Sequence, residues 1–158
     1  MTAEAAVARV REVLGVEATG EDPKRPLDGH RRHDVATVPV ERWVEAVTAA
    51  RDTLGCRYFC HLTAVDWKAD GFDVVCRLEN LETLLGLTLK TRVARDAPCP
   101  TLTGLYRGAL WMERECHELF GIRFEGHPDL RNLLLADGWE GYPLRKDYAV
   151  DTPHPPYR

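Results

Sequence analysis

Phe72-Asp73-Val74-Val75-Cys76-Arg77-Leu78-Glu79 alternates in character, with Phe72, Val74, Cys76 and Leu78 pointing one way and Asp73, Arg77 and Glu79 the other. A period of two with one apolar side marks a half-buried strand. Leu85, Leu87, Leu89 and Val93 repeat the pattern over Gly86, Thr88, Lys90 and Arg92, and the four residues Asn80 to Thr83 between the runs suit a hairpin loop. Leu62 to Trp67 reads as a further strand, leading into the turn Ala69-Asp70-Gly71. The expectation is an antiparallel sheet of three strands or more.

A sheet with one apolar face must cover it, and the flanking sequence supplies helices. Upstream, Trp43, Val47, Ala50 and Leu54 recur at helical spacing, with Glu41 in the first turn and Gly55 placed as a stop. Further back, Ala5, Val7, Val10 and Leu14 make a short amphipathic helix that Gly15 can terminate. Downstream of Pro98 and Pro100, Thr101 is placed to cap a helix running to Phe120, with Leu102, Leu105, Ala109, Met112, Cys116 and Leu119 on one stripe and Gly121 as the stop. The predicted class is α+β, the sheet covered on one face by helices.

Two segments stand outside this core. Gly20 to His33 (GEDPKRPLDGHRRH) is rich in Pro, Gly and charge and reads as a surface linker. Residues 123–158 hold five of the ten prolines and show no sustained period, yet Leu130, Leu133, Leu134, Leu135, Trp139, Tyr142 and Leu144 are more apolar area than a solvated tail carries. An extended arm that spends those side chains on another protein fits this composition. The organisation is therefore residues 1–33 as N-terminal helix and linker, 34–122 as the α+β core, and 123–158 as an irregular partner-binding arm.

Composition narrows function. With 44% apolar and 29% charged residues over 158 positions, the chain is of the globular class, and 21 Lys and Arg against 25 Asp and Glu leave it at −4, without the basic footprint that nucleic-acid binding needs. The longest apolar runs, such as Leu84 to Leu89, are far short of the ~20 residues of a spanning helix. The first residues carry no basic region followed by an apolar one, so the expectation is a cytoplasmic chain with reduced thiols at Cys56, Cys60, Cys76, Cys99 and Cys116.

Little chemistry is written in the motifs. The thiols lack iron–sulfur or structural-zinc spacing; Cys56-x3-Cys60 followed by His61 is the one arrangement with a metal reading, and packing beside a strand is the alternative. There is no G-x-G-x-x-G, no phosphate-binding loop and no serine at all, which excludes a Ser-His-Asp enzyme. Glu113 and His117, at i and i+4, share a helix face and are the one candidate acid/base pair. The alternative is that Glu113 and Arg114 form buried or interfacial ion pairs locking the helix end to the tail.

Trp111 to Tyr148, WMERECHELFGIRFEGHPDLRNLLLADGWEGYPLRKDY, closely resembles the signature of the 30 kDa subunit family of respiratory complex I, NADH:quinone oxidoreductase. The matching positions are Trp111, Glu113, Arg114, Glu115, Phe120, Gly121 and Ile122, then Gly126 to Arg131, then Gly141 and Pro143 to Asp147. The run Leu62 to Trp67 is similar to the family's strand ending in an acidic turn. Glu118 stands where the family commonly has Asp, and Asn132 where a second basic residue often follows.

The resemblance implies a protein with no redox centre of its own, a scaffold on the cytoplasmic side of the membrane. It would dock the quinone-site (49 kDa-type) subunit and the iron–sulfur subunits, which with their flavin, clusters and quinone carry the electrons. Relatives in membrane-bound nickel-iron hydrogenases and deazaflavin-dependent quinone-type dehydrogenases give the alternative. Partner contacts are expected at Glu113 and Arg114, at His127, Pro128, Asp129, Leu130 and Arg131, and at Trp139, Tyr142, Pro143, Arg145, Lys146 and Asp147. Of these Arg145 is singled out, because Pro143 holds the chain extended and a guanidinium fork suits a partner carboxylate.

Overall fold

Alternating side chains at 72–79 and 85–93 build the two central strands of a sheet. The computed structural model describes residues 3–16, 18–19 and 32–149. In chain order they form α1 (Ala3–Leu14), β1 (Ala18–Thr19), β2 (Arg32–Thr37), α2 (Trp43–Asp52), β3 (Tyr58–Asp66), β4 (Phe72–Asn80), β5 (Leu85–Val93), β6 (Cys99–Pro100), α3 (Ala109–Phe120) and β7 (Phe124–Glu125). The main sheet has the order β1-β2-β5-β4-β3, and β6 pairs with β7 separately. Pairings β3–β4 and β4–β5 are antiparallel, in a register that sets Cys76 between Leu62 and Leu89 and Leu78 opposite Leu87. These residues, with Phe72, Val74 and Val93, are buried together with Val10, Leu14, Trp43, Val47 and Ala50 of the helices. Asp73, Arg77, Lys90 and Arg92 lie on the opposite face, as the alternation requires.

The α+β class with helices on one face holds, and the sheet is mixed. Strand β2 adds to β5 in parallel, Asp34 opposite Leu87 and Ala36 opposite Leu89. It takes up Arg32 and His33, the end of the expected linker; residues 20–31 of that linker lie outside the described residues. Strand β3 also starts earlier than expected, at Tyr58, with a register shift between Phe59 and His61. Its edge is partly guarded by α3, since the Leu62 N–H donates to Met112 Sδ at 3.0 Å.

Helix α3 is shorter than its sequence pattern suggests, and this corrects the assignment of Thr101 as its cap. The helix begins at Ala109. Backbone pairing wins over residues 99–101: Cys99 N–H donates to Arg123 O and Thr101 N–H to Glu125 O, both at 2.9 Å, closing the β6–β7 pair. Residues 102–106 then make a turn in which Leu105 and Tyr106 N–H both donate to Leu102 O, and the Tyr106 hydroxyl donates to Cys56 O at 2.7 Å. Gly121 ends α3 as expected, in the left-handed region at φ 76°, its N–H on His117 O.

The chain does not leave the core at 122. Ile122 and Phe124 are fully buried, each burial contributing roughly 1.5–3 kcal/mol. From there residues 126–149 run without regular structure back along α3.

Candidate functional site

Several of the residues singled out by sequence meet at the seam between α3 and the segment 123–149, where His127, Arg114 and Arg145 bind backbone. At the start, His127 Nδ1 accepts the Asp129 N–H at 3.0 Å, which leaves the proton on Nε2 to donate to Leu110 O at 3.0 Å. One turn on, Arg114 donates to Arg131 O at 2.8 Å and to Asn132 O at 2.7 Å. At the helix end Glu118 receives three successive amides: Leu133 at 2.8 Å, Leu134 at 2.8 and 3.1 Å, and Leu135 at 3.1 Å. Its carboxylate is 4% exposed, so these amides replace its water. The segment thus lies parallel to α3, anchored at positions 110, 114 and 118.

It then turns through 136–141 and returns over the C-terminal end of the helix. Leu144 N–H donates to Leu119 O at 3.0 Å, and Arg145 Nε to Phe120 O at 2.6 Å. The Arg145 guanidinium stacks 4.1 Å from the Tyr142 ring and 5.5 Å from the Phe72 ring. Gly121 makes room for this: a Cβ there would collide with Arg145 Nη2 and lie 2.7 Å from Tyr142 Cζ. Arg145 Nε and the face of the guanidinium are thus engaged within the chain, on the Phe120 carbonyl and the Tyr142 ring.

Asp66 joins the segment to the sheet. The carboxylate, 3% exposed, accepts the Lys146 N–H at 2.7 Å and the Lys68 N–H at 2.8 Å, with Arg95 Nη2 at 3.3 Å. Burial pushes this carboxyl up, but the two amides and the guanidinium outweigh it and hold it below its ordinary value. Arg95 also reaches Asp147 at 3.2 Å. The turn that follows Asp66 puts Trp67 on the surface between Arg92, at 5.5 Å, and the Lys146 ammonium, at 5.4 Å. Gly71 closes the turn at φ 90°, where a Cβ would strike Val93 O.

Glu113 is the exception to the seam. It is 0% exposed and points into the core, accepting the Leu102 N–H at 2.7 Å and the Thr101 hydroxyl. The expected ion pair is replaced by two neutral donors, while Arg114 does lock the helix to the tail, through carbonyls. Glu113 and His117 do not form a pair either: His117 Nδ1 donates to Ile122 O at 2.8 Å. Among the described residues no group of three or more His, Cys, Asp or Glu side chains is arranged to hold a metal ion. Cys56 is buried, its thiol pushed up to about 12 by desolvation, and Cys60 is half-buried on β3.

The remaining candidates face outward. Arg131 and Asp129 pair with each other at 2.7 and 2.9 Å, and that hydrogen bonding holds the Asp129 carboxyl well down. Pro128 lines a shallow cleft with Thr103, Arg107, Leu110 and Gly126. Leu130 packs on the core, and Pro143 and Trp139 are half-buried. Sequence reasoning gave no role to the amides gathered by Glu118 and Asp66; Leu134, 65% exposed, lies in the arm it gave to a partner, and Trp111, 64% exposed, entered only as a matching family position. For Trp111 the signal is a large apolar residue off the buried stripe of α3. The arrangement supplies shape and an apolar surface, with its charged groups spent on holding backbone.

A family model described as respiratory-chain NADH dehydrogenase, 30 Kd subunit, matches residues 36–154. A relative from Rhizobium rhizogenes, itself a subunit of NADH-quinone oxidoreductase, is 40% identical over 118 residues, and its counterpart from Rhodobacter capsulatus 41%; each alignment covers 72% of this chain and 59% of the relative. The chain thus spans about three-fifths of the length of these relatives. A chain in the membrane-bound sulfane sulfur reductase, an archaeal respiratory membrane complex, superposes with a TM-score of 0.75 at 28% identity, covering 93% of this chain and 85% of that one. No helix among the described residues is long and apolar enough to cross a membrane. The signature residues, the fold that presents them and the match over 36–154 agree: this chain belongs to the 30 kDa subunit family of respiratory-chain NADH dehydrogenases.

Proposed function

We propose that the chain is a non-catalytic scaffold in the peripheral arm of a proton-translocating NADH:quinone oxidoreductase, docking the quinone-site subunit and the iron–sulfur subunits on the cytoplasmic side of the membrane. Flavin, clusters and quinone belong to those partners. One observation carries this reading: Trp111 on α3, and Leu134 and Leu144 on the segment 123–149 that is held down by its own backbone, are large apolar side chains exposed at fixed positions. Exposed aromatic and aliphatic side chains on a fixed backbone are what a permanent interface uses, since little ordering entropy remains to be lost on binding.

The test is recovery of the assembled complex from native membranes with Trp111→Ala and Leu134→Ala combined. Full recovery of assembled complex would refute docking through this face, and loss of the isolated chain's thermal melt would reassign the two residues to folding. The likeness to a sulfane sulfur reductase chain over most of the sequence supports a second reading, the equivalent component of a hydrogenase-type or deazaflavin-dependent complex. Partners that include a flavin-binding NADH subunit favour the first reading; a nickel-site subunit favours the second.

A further inference from the structure

We infer that Glu113 is a protonation latch on the joint between α3 and the 99–103 turn: it closes the joint while it carries a proton, and loss of that proton weakens the attachment of the turn and of the β7 strand paired to it. The geometry is that of an acid built to be neutral. Glu113 is wholly buried, and among the described residues no lysine, arginine or histidine pairs with it. Its partners are one amide, Leu102 N–H on Oε1, and on Oε2 one hydroxyl, that of Thr101, which donates to the ionised acid and accepts from the protonated one and which also lies 3.0 Å from the Thr103 hydroxyl. Two neutral donors are too few to replace the water of a buried carboxylate, which as an ion normally needs a cation or a fuller set of donors. The thiols that face it are Cys76 on β4, Cys99 on β6 and Cys116 on its own helix. Burial raises all three, so they stay neutral and Glu113 is the one group of this cluster that titrates near neutrality.

Desolvation raises its pKa to about 7, against the partial opposition of the Thr101 and Leu102 hydrogen bonds. An unfolded or opened Glu113 returns to about 4.3. The closed joint therefore holds the proton that the open joint releases, and the stabilisation is complete below the open-state value and is lost as pH rises through the closed-state value. The effect spreads along a defined path. Thr101 N–H is bonded to Glu125 O and Cys99 N–H to Arg123 O, so the turn and the start of the 123–149 segment open together.

Hydrogen exchange of the full chain, corrected for the intrinsic pH dependence, tests this. Exchange at Leu102 and at residues 124–126 rises about tenfold per pH unit between about pH 5 and pH 7 and levels off above. The amides of β4, at the centre of the sheet, carry the same linkage only through global unfolding and so exchange more slowly than Leu102 at every pH, and Glu113→Gln, a neutral mimic of the protonated acid, removes the slope at Leu102. Should that variant fail to fold, infrared spectra of the wild-type chain with carbon-13 label in glutamate must show a protonated carboxyl at pH 6 that fades by pH 8. A flat profile at Leu102, exchange at Leu102 no faster than in β4, or no protonated carboxyl at pH 6 overturns the inference.

Discussion

Replacing Glu118 with glutamine alters the acceptor on which three successive backbone amides converge. In the wild-type chain one carboxylate oxygen accepts Leu133, Leu134 and Leu135 N–H and the other accepts Leu134 N–H a second time. Hydrogen bonds to a charged acceptor contribute about 1.5–3 kcal/mol, and neutral ones about 1 kcal/mol. The amide side chain keeps its oxygen on the three-amide position at lowest cost, and its NH2 then faces the Leu134 N–H, donor against donor. Because the bonds share one acceptor they do not add, and the expected cost is roughly 2–4 kcal/mol. That corresponds to a fall in Tm of roughly 5–15 °C for a domain of this size. Urea unfolding of the purified chain measures the cost, and hydrogen exchange at 133–135 locates it. Glu118→Asp keeps the charge on a shorter stem and is expected to cost less than the glutamine. A glutamine variant within about 0.5 kcal/mol of wild type, with 133–135 still protected, would refute the reasoning.

Other consequences can be checked on the same chain. Arg145→Ala removes the donor to Phe120 O and the stack on Tyr142, and is expected to lower stability by about 2 kcal/mol; an unchanged melt, with loss of assembled complex, would hand Arg145 back to a partner. Gly121→Ala places a methyl group on Arg145 and Tyr142 at φ 76°, costing at least about 1–2 kcal/mol and releasing residues 142–146 to hydrogen exchange. Asp66 has its carboxyl held low, so its contribution is present above about pH 4, its unfolded value, and is lost as pH falls through the folded one. Asp66→Asn is therefore expected to flatten the acid limb of the stability profile, and an unaltered acid limb would exclude it as a source.

What was legible in the sequence was whatever the side chains repeat. Strands β4 and β5 announce themselves through alternation, and α2 through its Trp43 stripe. Strand β2 does not, because its buried face includes the polar Asp34 and its partner residues in β5 lie 53 positions downstream. The start of α3 was misplaced since Thr101, after two prolines, has the chemistry of a cap, and only the non-local pairing with 124–125 decides otherwise. At the seam, family resemblance located the residues without their duties. Glu118 binds amides 15 to 17 positions away and Asp66 reaches one 80 positions away, and an amide is the same whatever residue carries it.

That last property bears on how such a protein changes over time. The clasp on 131–135 reads only main chain: Arg114 takes two carbonyls and Glu118 three amides, and the side chains of Arg131, Asn132 and Leu134 are exposed at the surface. Substitutions at these positions leave the clasp intact so long as the backbone can follow the same path. The fold can therefore keep its shape while its outward residues are rewritten, and under the proposed docking role drift at 131, 132 and 134 would record a change of company rather than a loss of fold.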